Sequence, residues 1–207
     1  MQGLYLISND DPIELLQQKL AAALDAAPVA LLQYRRKQVA KDQQQLEVES
    51  LLRLCEQYKT PLIINDDVAL ARQFDCGVHL GQGDGSLEEA RRVLGTQVII
   101  GRTCHASLEL AEWAAEEGAS YLAFGAVYPS GTKPNAQRVT LEILKQAAQN
   151  FSLPICAIGG LTVENSQPVK QAGVDLFAVV GDVFGLPVEQ VGQRARQWDA
   201  LLLSPNN

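Results

Sequence analysis

Short apolar runs alternate with longer amphipathic stretches along the whole chain. The short runs are of the length and type found in buried strands, whereas apolar residues in the longer stretches recur with the period of a helix. The pattern predicts eight strands, at residues 4–7, 29–34, 61–64, 77–80, 98–101, 121–125, 155–158 and 176–180. It also predicts eight helices, at residues 13–26, 42–58, 68–74, 87–94, 108–117, 141–149, 163–172 and 188–203.

The helix boundaries coincide with residues that begin and end helices. Ser107 and Thr162 are predicted N-caps, and Gly118 and Gly173 are predicted helix ends. Dividing the 207 residues among eight strand-helix units gives about 26 per unit, near the short end of a (β/α)₈ barrel.

An open doubly wound sheet is the alternative fold, because it shows the same alternation. Such sheets usually have about five to seven strands and a glycine-rich first turn. The first turn here, residues 8–12, reads Ser-Asn-Asp-Asp-Pro and contains no glycine. The sequence therefore favours an α/β protein with a single (β/α)₈ TIM barrel over residues 1–207, and with its active site at the C-terminal ends of the strands.

Composition and charge narrow the class of protein and partner. Hydrophobic residues make up 47% of the chain and charged residues 20%, which excludes a disordered chain. The net charge of −7 disfavours nucleic acid and anionic membranes as partners, so an anion would have to bind locally. No apolar run approaches the roughly 18 residues of a membrane span, and no basic segment precedes the first strand.

The four cysteines are widely spaced and form no CxxC pair. We interpret Cys55, Cys76, Cys104 and Cys156 as reduced, buried thiols, and the protein as cytoplasmic. The oligomeric state stays open, with a homo-oligomer as one option, because Trp113 or Trp198 on a helix could mark a subunit contact.

Polar side chains follow several of the predicted strands, where a barrel of this type places its chemistry. After the second strand, Gln33, Arg35 and Lys37 recur at period two and therefore share one face. Asn65, Asp66 and Asp67 follow the third strand, and Asp84 follows the fourth.

Carboxylates from adjacent strand ends, opposite a cationic cluster, suit a Mg²⁺ ion that bridges to a phosphate. Alternatively, these residues have structural roles only. Asp66 or Asp67 then caps the next helix, Asp84 belongs to a turn, and the cationic side chains are simply solvated at the end of the second strand.

Glycine-rich and hydroxyl-rich loops follow the later strands. The loop at residues 128–135 contains Ser130, Thr132 and Lys133, which suit a phosphate and a closing loop. The turns at Gly159-Gly160 and Val180-Gly181 leave backbone N–H groups for a phosphate. His79 lies within an apolar run and is interpreted as a packed core histidine.

These segments, in this order, resemble the thiamine phosphate synthase family. The resemblance spans nearly the whole chain, and its motifs are read as follows: Leu4-Tyr5-Leu6-Ile7, Gln33-x-Arg35-x-Lys37, Asn65-Asp66-Asp67, Gly77-Val78-His79-Leu80-Gly81-Gln82-x-Asp84, Ser130-x-Thr132-Lys133 and Ala157-Ile158-Gly159-Gly160. The family implies a (β/α)₈ barrel that joins 4-amino-2-methyl-5-(diphosphooxymethyl)pyrimidine to a thiazole phosphate, or its carboxylated form, with release of pyrophosphate.

The resemblance also implies roles for individual residues. Asp66 and Asp84 would hold Mg²⁺, and Arg35, Lys37 and Lys133 would be the catalytic cations. The substrate-binding residues would be Gln33, Arg35, Lys37, Asn65 and Lys133 for the pyrimidine diphosphate, Thr103 at the hydroxyl position after the fifth strand, and Ser130, Thr132, Gly159, Gly160, Val180 and Gly181 for the thiazole phosphate.

The sequence departs from the family pattern at five positions, one of which is Ser130, where a threonine is usual and the hydroxyl is kept. Arg102 and Thr103 replace a small apolar residue and a serine, and Gly181 replaces a serine and is followed by Asp182. Two other functions stay open: a thiazole tautomerase-like relative, and a non-catalytic sensor of phosphorylated thiamine precursors. The cationic and acidic motifs argue against the tautomerase, because an isomerase needs no Mg²⁺-diphosphate site.

Overall fold

Eight parallel strands form a closed barrel in which each strand pairs with its neighbours in chain order. The computed structural model describes residues 1–129 and 138–205. The strands are β1 (Gly3–Ile7), β2 (Val29–Tyr34), β3 (Leu62–Asn65), β4 (Gly77–Leu80), β5 (Ile100–His105), β6 (Tyr121–Gly125), β7 (Ile155–Ile158) and β8 (Leu176–Val179). Pairing of Leu4 with Phe177 joins β1 to β8 and closes the barrel, which confirms the predicted fold class.

Helices surround the barrel and alternate with its strands. They are α1 (Ile13–Ala26), α2 (Lys41–Gln57), α3 (Val68–Gln73), α4 (Leu87–Leu94), α5 (Leu108–Glu116), α6 (Leu141–Asn150), α7 (Gln167–Gln171), α8 (Gly181–Phe184) and α9 (Val188–Leu203). Ser107 caps α5 as predicted, because its side chain accepts a hydrogen bond from the Leu110 N–H. Gly118 and Gly173 follow α5 and α7 with φ of 89° and 90°, as expected of helix-ending glycines.

The alternating strand residues make two separate apolar layers. Outward-facing side chains join the helices in the main core, whereas a smaller cluster that includes Tyr5, Leu31, Ile63 and Tyr121 fills the barrel interior. A Cβ atom at Gly101 would overlap the ring of Tyr121. Glycine at this position therefore lets the Tyr121 ring lie across β5.

The structure corrects the predicted boundaries of β5. The strand begins at Ile100 instead of residue 98, because the Val98 carbonyl accepts a hydrogen bond from the Arg91 side chain. It also extends to His105, so Thr103 lies within the strand and pairs with Ala123 of β6. The predicted position of Thr103 after the strand is therefore wrong.

Two boundaries predicted in the C-terminal part of the sequence, the start of α7 and the end of β8, are also wrong. Helix α7 begins only at Gln167, because the Asn165 side chain bonds to the Thr162 N–H and to the Gly160 carbonyl and holds residues 162–165 as a turn. Thr162 is consequently not an N-cap. Strand β8 ends at Val179, and the Val180 carbonyl instead accepts from the Phe184 N–H in α8, a helix that the sequence pattern did not predict.

The cysteine prediction is confirmed, since all four thiols are free and buried. Trp198 is fully buried against Phe177 and cannot mark a subunit contact, whereas Trp113 is 54% exposed. Within the described part of the chain, no helix is long and apolar enough to cross a membrane.

Candidate functional site

The loop after β2 carries the exposed cations of the barrel mouth. Arg35 follows the strand directly, and its N–H donates to the Ser8 hydroxyl at 2.7 Å, which ties this loop to the end of β1. Both Arg35 and Lys37 are exposed, whereas Gln33, predicted on the same face, is buried. Arg36 between them is buried, with its Nε 2.8 Å from Glu47 Oε2 in α2. The loop therefore presents two cations to solvent and uses the third to anchor itself.

Lys37 lies against one of the two predicted metal ligands. Its Nζ is 2.6 Å from Asp66 Oδ2, in an ion pair that is half exposed on the lysine side. Asp66 follows β3 with a left-handed φ of 64°, and its N–H donates to the His79 carbonyl of β4. Asp67, the next residue, caps α3 by accepting from the Leu70 N–H. The Asp66 carboxylate thus lies at the mouth, whereas the Asp67 carboxylate caps α3.

Asp84 closes a turn after β4. Its Oδ2 accepts from the Gly81 N–H at 3.0 Å, and its own N–H donates to the Gly81 carbonyl. The side chain is exposed, so the turn interpretation and a ligand role are compatible. No cluster of three or more His, Cys, Asp or Glu side chains occurs within residues 1–129 and 138–205.

This sparse set of acidic groups fits Mg²⁺, which takes one or two protein carboxylates and completes its coordination with water and phosphate oxygens. Asp66 and Asp84 follow adjacent strands and offer hard oxygen donors. A tetrahedral zinc site would need more nitrogen or sulfur ligands than this mouth offers.

A cleft beside these residues opens between β2, β3 and the start of α2. It is lined by Lys37, Asn65 and Asp66 together with Lys41 and Gln44. Asn65 is the last residue of β3 and is partly buried. Cationic, amide and carboxylate groups therefore face a common space next to the barrel mouth.

The barrel interior below the mouth holds a polar network. Gln33 is 3% exposed, and its side-chain nitrogen donates to the Tyr5 hydroxyl at 2.6 Å. The Tyr5 hydroxyl is 2.8 Å from that of Tyr121, which in turn is 2.8 Å from His79 Nδ1. His79 Nε2 lies 2.9 Å from Thr103 Oγ1. Burial lowers the pKa of His79 to about 4, although nearby Asp66 raises it, so the ring is neutral at pH 7.

The glycine turns lie on the opposite side of the mouth. Gly159 and Gly160 have φ of 107° and 62°, and a Cβ at either position would collide with residues 126–129. Gly181 is exposed, and a Cβ there would meet nothing within 4 Å. Ser130, Thr132 and Lys133 lie outside the described residues, so their predicted roles remain predictions.

Asp182 is turned away from this side of the mouth. Its side chain is 4% exposed, accepts a hydrogen bond from Trp198 Nε1 at 2.7 Å and lies 3.0 Å from Arg194 of α9. Burial nevertheless raises the pKa of the Asp182 carboxyl, because desolvation outweighs these two contacts. A carboxylate held in this way leaves the open backbone at Gly181 unobstructed.

The profile of the thiamine monophosphate synthase family matches residues 4–183. The chain belongs to that family. A solved thiamine phosphate pyrophosphorylase from Pyrococcus furiosus is 28% identical, with a TM-score of 0.85 over 97% of this chain and 95% of that one.

Two more distant structures share the fold. A thiamine phosphate pyrophosphorylase from Bacteroides thetaiotaomicron is 16% identical, with a TM-score of 0.71 and coverage of 97% of each chain. A 3-hexulose-6-phosphate synthase is 11% identical, with a TM-score of 0.74 over 97% of this chain and 99% of that one. At these identities the likeness concerns the (β/α)₈ barrel.

Among the residues predicted from the thiamine monophosphate synthase resemblance, the structure brings several together at the mouth. Lys37 contacts Asp66, and both line the cleft with Asn65. Gln33 is instead buried below them, bonded to Tyr5. Sequence reasoning missed the network of Tyr5, Tyr121 and His79. One signal was present for the two tyrosines: Tyr5 alternates with Ile7, and Tyr121 with Ala123, on the inward-facing side of their strands.

Proposed function

We propose that this protein is a thiamine phosphate synthase, a transferase that joins the pyrimidine diphosphate to the thiazole phosphate and releases pyrophosphate. The observation that carries the proposal is the mouth of the barrel. Lys37 pairs with Asp66 there, Arg35 is exposed on the same loop, and Asp84 follows the adjacent strand, in a chain of the thiamine monophosphate synthase family.

The reaction needs charge neutralisation and alignment more than it needs a protein acid or base. An aminopyrimidine with a diphosphate on its methylene carbon can expel pyrophosphate and leave a stabilised cation, which the thiazole nitrogen captures. Mg²⁺, when bound by Asp66 and Asp84, supplies charge neutralisation on the diphosphate. Arg35 and Lys37 bind the same leaving group as a pair of exposed cations from one loop.

The second substrate is assigned to the opposite side of the mouth. Backbone N–H groups at Gly159, Gly160 and Gly181 are proposed to hold the thiazole phosphate, together with Ser130, Thr132 and Lys133. The open space above Gly181 and the withdrawn Asp182 carboxylate support this assignment. The N–H of residue 181 can serve without the usual serine hydroxyl.

The decisive measurement is pyrophosphate release when both substrates are mixed with the protein and Mg²⁺. Release that requires both substrates supports the synthase. Release of no pyrophosphate, with isomerisation of the thiazole carboxylate, would identify a tautomerase-like enzyme instead. Binding of either substrate without any turnover would identify a sensor.

The metal assignment is tested with Asp66→Asn and Asp84→Asn. Asparagine keeps the size of each side chain, tolerates the left-handed backbone of Asp66 and retains an acceptor for the Gly81 N–H. We expect at least a hundredfold loss of Mg²⁺-dependent kcat/KM, with unchanged urea unfolding, because a carboxylate ligand is lost from a site with only two.

Asp75→Asn is the matched control. Asp75 is also an exposed aspartate in left-handed conformation, with φ of 51°, but it precedes β4 and so lies at the opposite end of the barrel. Its substitution should leave turnover unchanged. Full turnover of the Asp66→Asn, Asp84→Asn double variant in excess EDTA would overturn the metal site.

A further inference from the structure

A series of five polar side chains, joined by hydrogen bonds, crosses the barrel interior below the mouth. In spatial order it runs Gln33, Tyr5, Tyr121, His79, Thr103, contributed by β2, β1, β6, β4 and β5. The four links measure 2.6, 2.8, 2.8 and 2.9 Å between donor and acceptor atoms. Each link is within normal hydrogen-bond length.

The direction of the protons follows from counting donors. The Gln33 amide nitrogen donates to the Tyr5 oxygen, so the single Tyr5 proton is left for Tyr121. The single Tyr121 proton is then left for His79 Nδ1. A histidine that accepts at Nδ1 carries its proton at Nε2 when neutral, and Nε2 consequently donates to Thr103 Oγ1.

The last group of the series is the Thr103 hydroxyl, which can act as a hydrogen-bond donor. Thr103 is partly exposed in β5, and its Oγ1 accepts from His79. Throughout residues 1–129 and 138–205, no acceptor for the Thr103 hydroxyl proton is found. The hydroxyl at the upper end of the series can therefore donate into the mouth.

The surrounding packing holds the rings in place. The Tyr5 and Tyr121 rings meet edge to face at 5.8 Å, and the His79 ring stacks on Tyr121 at 5.6 Å. Gly101 makes room for the Tyr121 ring. Burial raises the pKa of both phenols, so each keeps its proton at neutral pH.

We propose that Tyr5 and Tyr121 are positioning residues that fix the Nε2–H tautomer of His79 and thereby present the Thr103 hydroxyl as a hydrogen-bond donor to a ring nitrogen of the pyrimidine substrate. The inference rests on the proposed function for the identity of the acceptor. The tautomer itself is a property of the free protein and is tested without substrate.

The first test is nitrogen NMR of the protein labelled with ¹⁵N-histidine. The protein contains two histidines, so the spectrum of His105→Asn identifies the signals of His79. We expect a single neutral form with a protonated Nε2 and an unprotonated Nδ1. A protonated Nδ1 at neutral pH, with or without a proton on Nε2, would overturn the inference.

The second test is kinetic. Tyr121→Phe removes the donor to His79 Nδ1, and Thr103→Val removes the hydroxyl at the end of the series. For each we expect the KM for the pyrimidine diphosphate to rise about tenfold, the effect of one hydrogen bond, with the KM for the thiazole phosphate unchanged. In Tyr121→Phe the ¹⁵N signals should also show a mixture of His79 tautomers.

The double variant separates positioning from general damage. If Tyr121 acts through Thr103, the Tyr121→Phe, Thr103→Val protein should be no worse than Thr103→Val alone. If the rise in KM of the double variant equals the product of the rises in the two single variants, the inference is overturned. Thr103→Ser should restore normal kinetics, and Tyr58→Phe, which removes an exposed phenol oxygen at the C-terminal end of α2, serves as the matched control.

The two proposals can fail separately. If the unmodified protein releases no pyrophosphate, the proposed function is wrong, whereas the His79 tautomer is still decided by NMR. If it releases pyrophosphate but Tyr121→Phe has a normal KM and a single Nε2–H tautomer, the positioning role is wrong and the synthase assignment stands.

Discussion

Arg35, Arg36 and Lys37 are adjacent cations with different surroundings. Arg36 is buried, donates to the carbonyls of Asn9 and Asp11 and pairs with buried Glu47. Arg35 and Lys37 are exposed. Lys37 lies in a turn after β2, in which the Val39 N–H donates to the Arg36 carbonyl.

Substitution should separate the two roles. Arg36→Ala leaves the Glu47 carboxylate buried without its cation, and we expect the free energy of unfolding to fall by about 3 kcal/mol. Arg35→Ala should change it by less than about 0.5 kcal/mol. In the proposed reaction, Arg35→Ala should raise the KM for the pyrimidine diphosphate more than that for the thiazole phosphate.

Urea unfolding and steady-state kinetics of both variants provide the measurement. Equal losses of stability would contradict the assignment of Arg36 as the anchor. A larger effect of Arg35→Ala on the thiazole KM would contradict its place beside the diphosphate.

At the residue scale, the sequence predicted features that depend on neighbouring residues better than contacts between distant ones. Arg35 and Lys37, which were predicted from period two to share a face, are both exposed, whereas Arg36 between them is buried. The contact between Tyr5 and Tyr121 joins residues 116 positions apart and exists only after β1 and β6 have entered the same barrel. His79 was interpreted as a packed core histidine because it lies within an apolar run, and its hydrogen-bond partners, Tyr121 and Thr103, come from other strands.

At the element scale, α8 depends on contacts made by α9. Arg194 of α9 pairs with buried Asp182 and forms two hydrogen bonds with Glu164, at 2.6 and 3.3 Å. Trp198, one turn further along α9, donates to the same Asp182 carboxylate. Four residues of helix are too few to be stable alone, so these contacts hold α8 in place.

Arg194→Ala should therefore destabilise the protein. It leaves the Asp182 carboxylate buried without its cation, held by the Trp198 side chain and the Val163 N–H, and we expect a loss of about 3 kcal/mol in the free energy of unfolding at pH 7. Arg53→Ala breaks an exposed pair with Glu49 and is the control, with a loss below about 0.5 kcal/mol. Urea unfolding measures both, and equal losses would contradict this account of α8.

The stabilisation from Glu164 also has a predictable pH dependence. The hydrogen bonds from Arg194 lower the pKa of Glu164 from 4.5 to about 2. A lowered folded-state pKa stabilises the protein fully above the unfolded value and is lost as the pH falls through the folded one. The part of the Arg194→Ala deficit due to Glu164 should thus be complete above about pH 4.5 and decline toward pH 2. Because Glu164 is 65% exposed, this part is small.

Element boundaries were the least predictable part of the fold. Apolar periodicity located all eight strands, but the start of β5 is set by the Arg91 side chain, and the start of α7 by the Asn165 side chain. Both are contacts of polar groups with backbone atoms. Hydrophobic period carries no information about such contacts.

At the scale of the whole molecule, the barrel was predictable because eight similar units repeat in a chain of barrel length. The net charge of −7 says little about the mouth, where Arg35 is exposed and Lys37 pairs with Asp66. Local arrangement, not overall charge, decides whether an acidic protein can receive a diphosphate.

The ion pair between Lys37 and Asp66 has a consequence for the proposed binding of Mg²⁺ and diphosphate. Lys37 pairs with the Asp66 carboxylate, and in the proposed reaction a diphosphate would offer the ammonium group other oxygens. Release of Asp66 then favours the cation, so we expect pyrophosphate to tighten Mg²⁺ binding and Mg²⁺ to tighten pyrophosphate binding by the same factor. Titration calorimetry of each ligand, with and without the other, measures that factor. The share of this mutual tightening that comes from the ion pair should vanish in Lys37→Met, because the Asp66 carboxylate has no lysine partner in that variant.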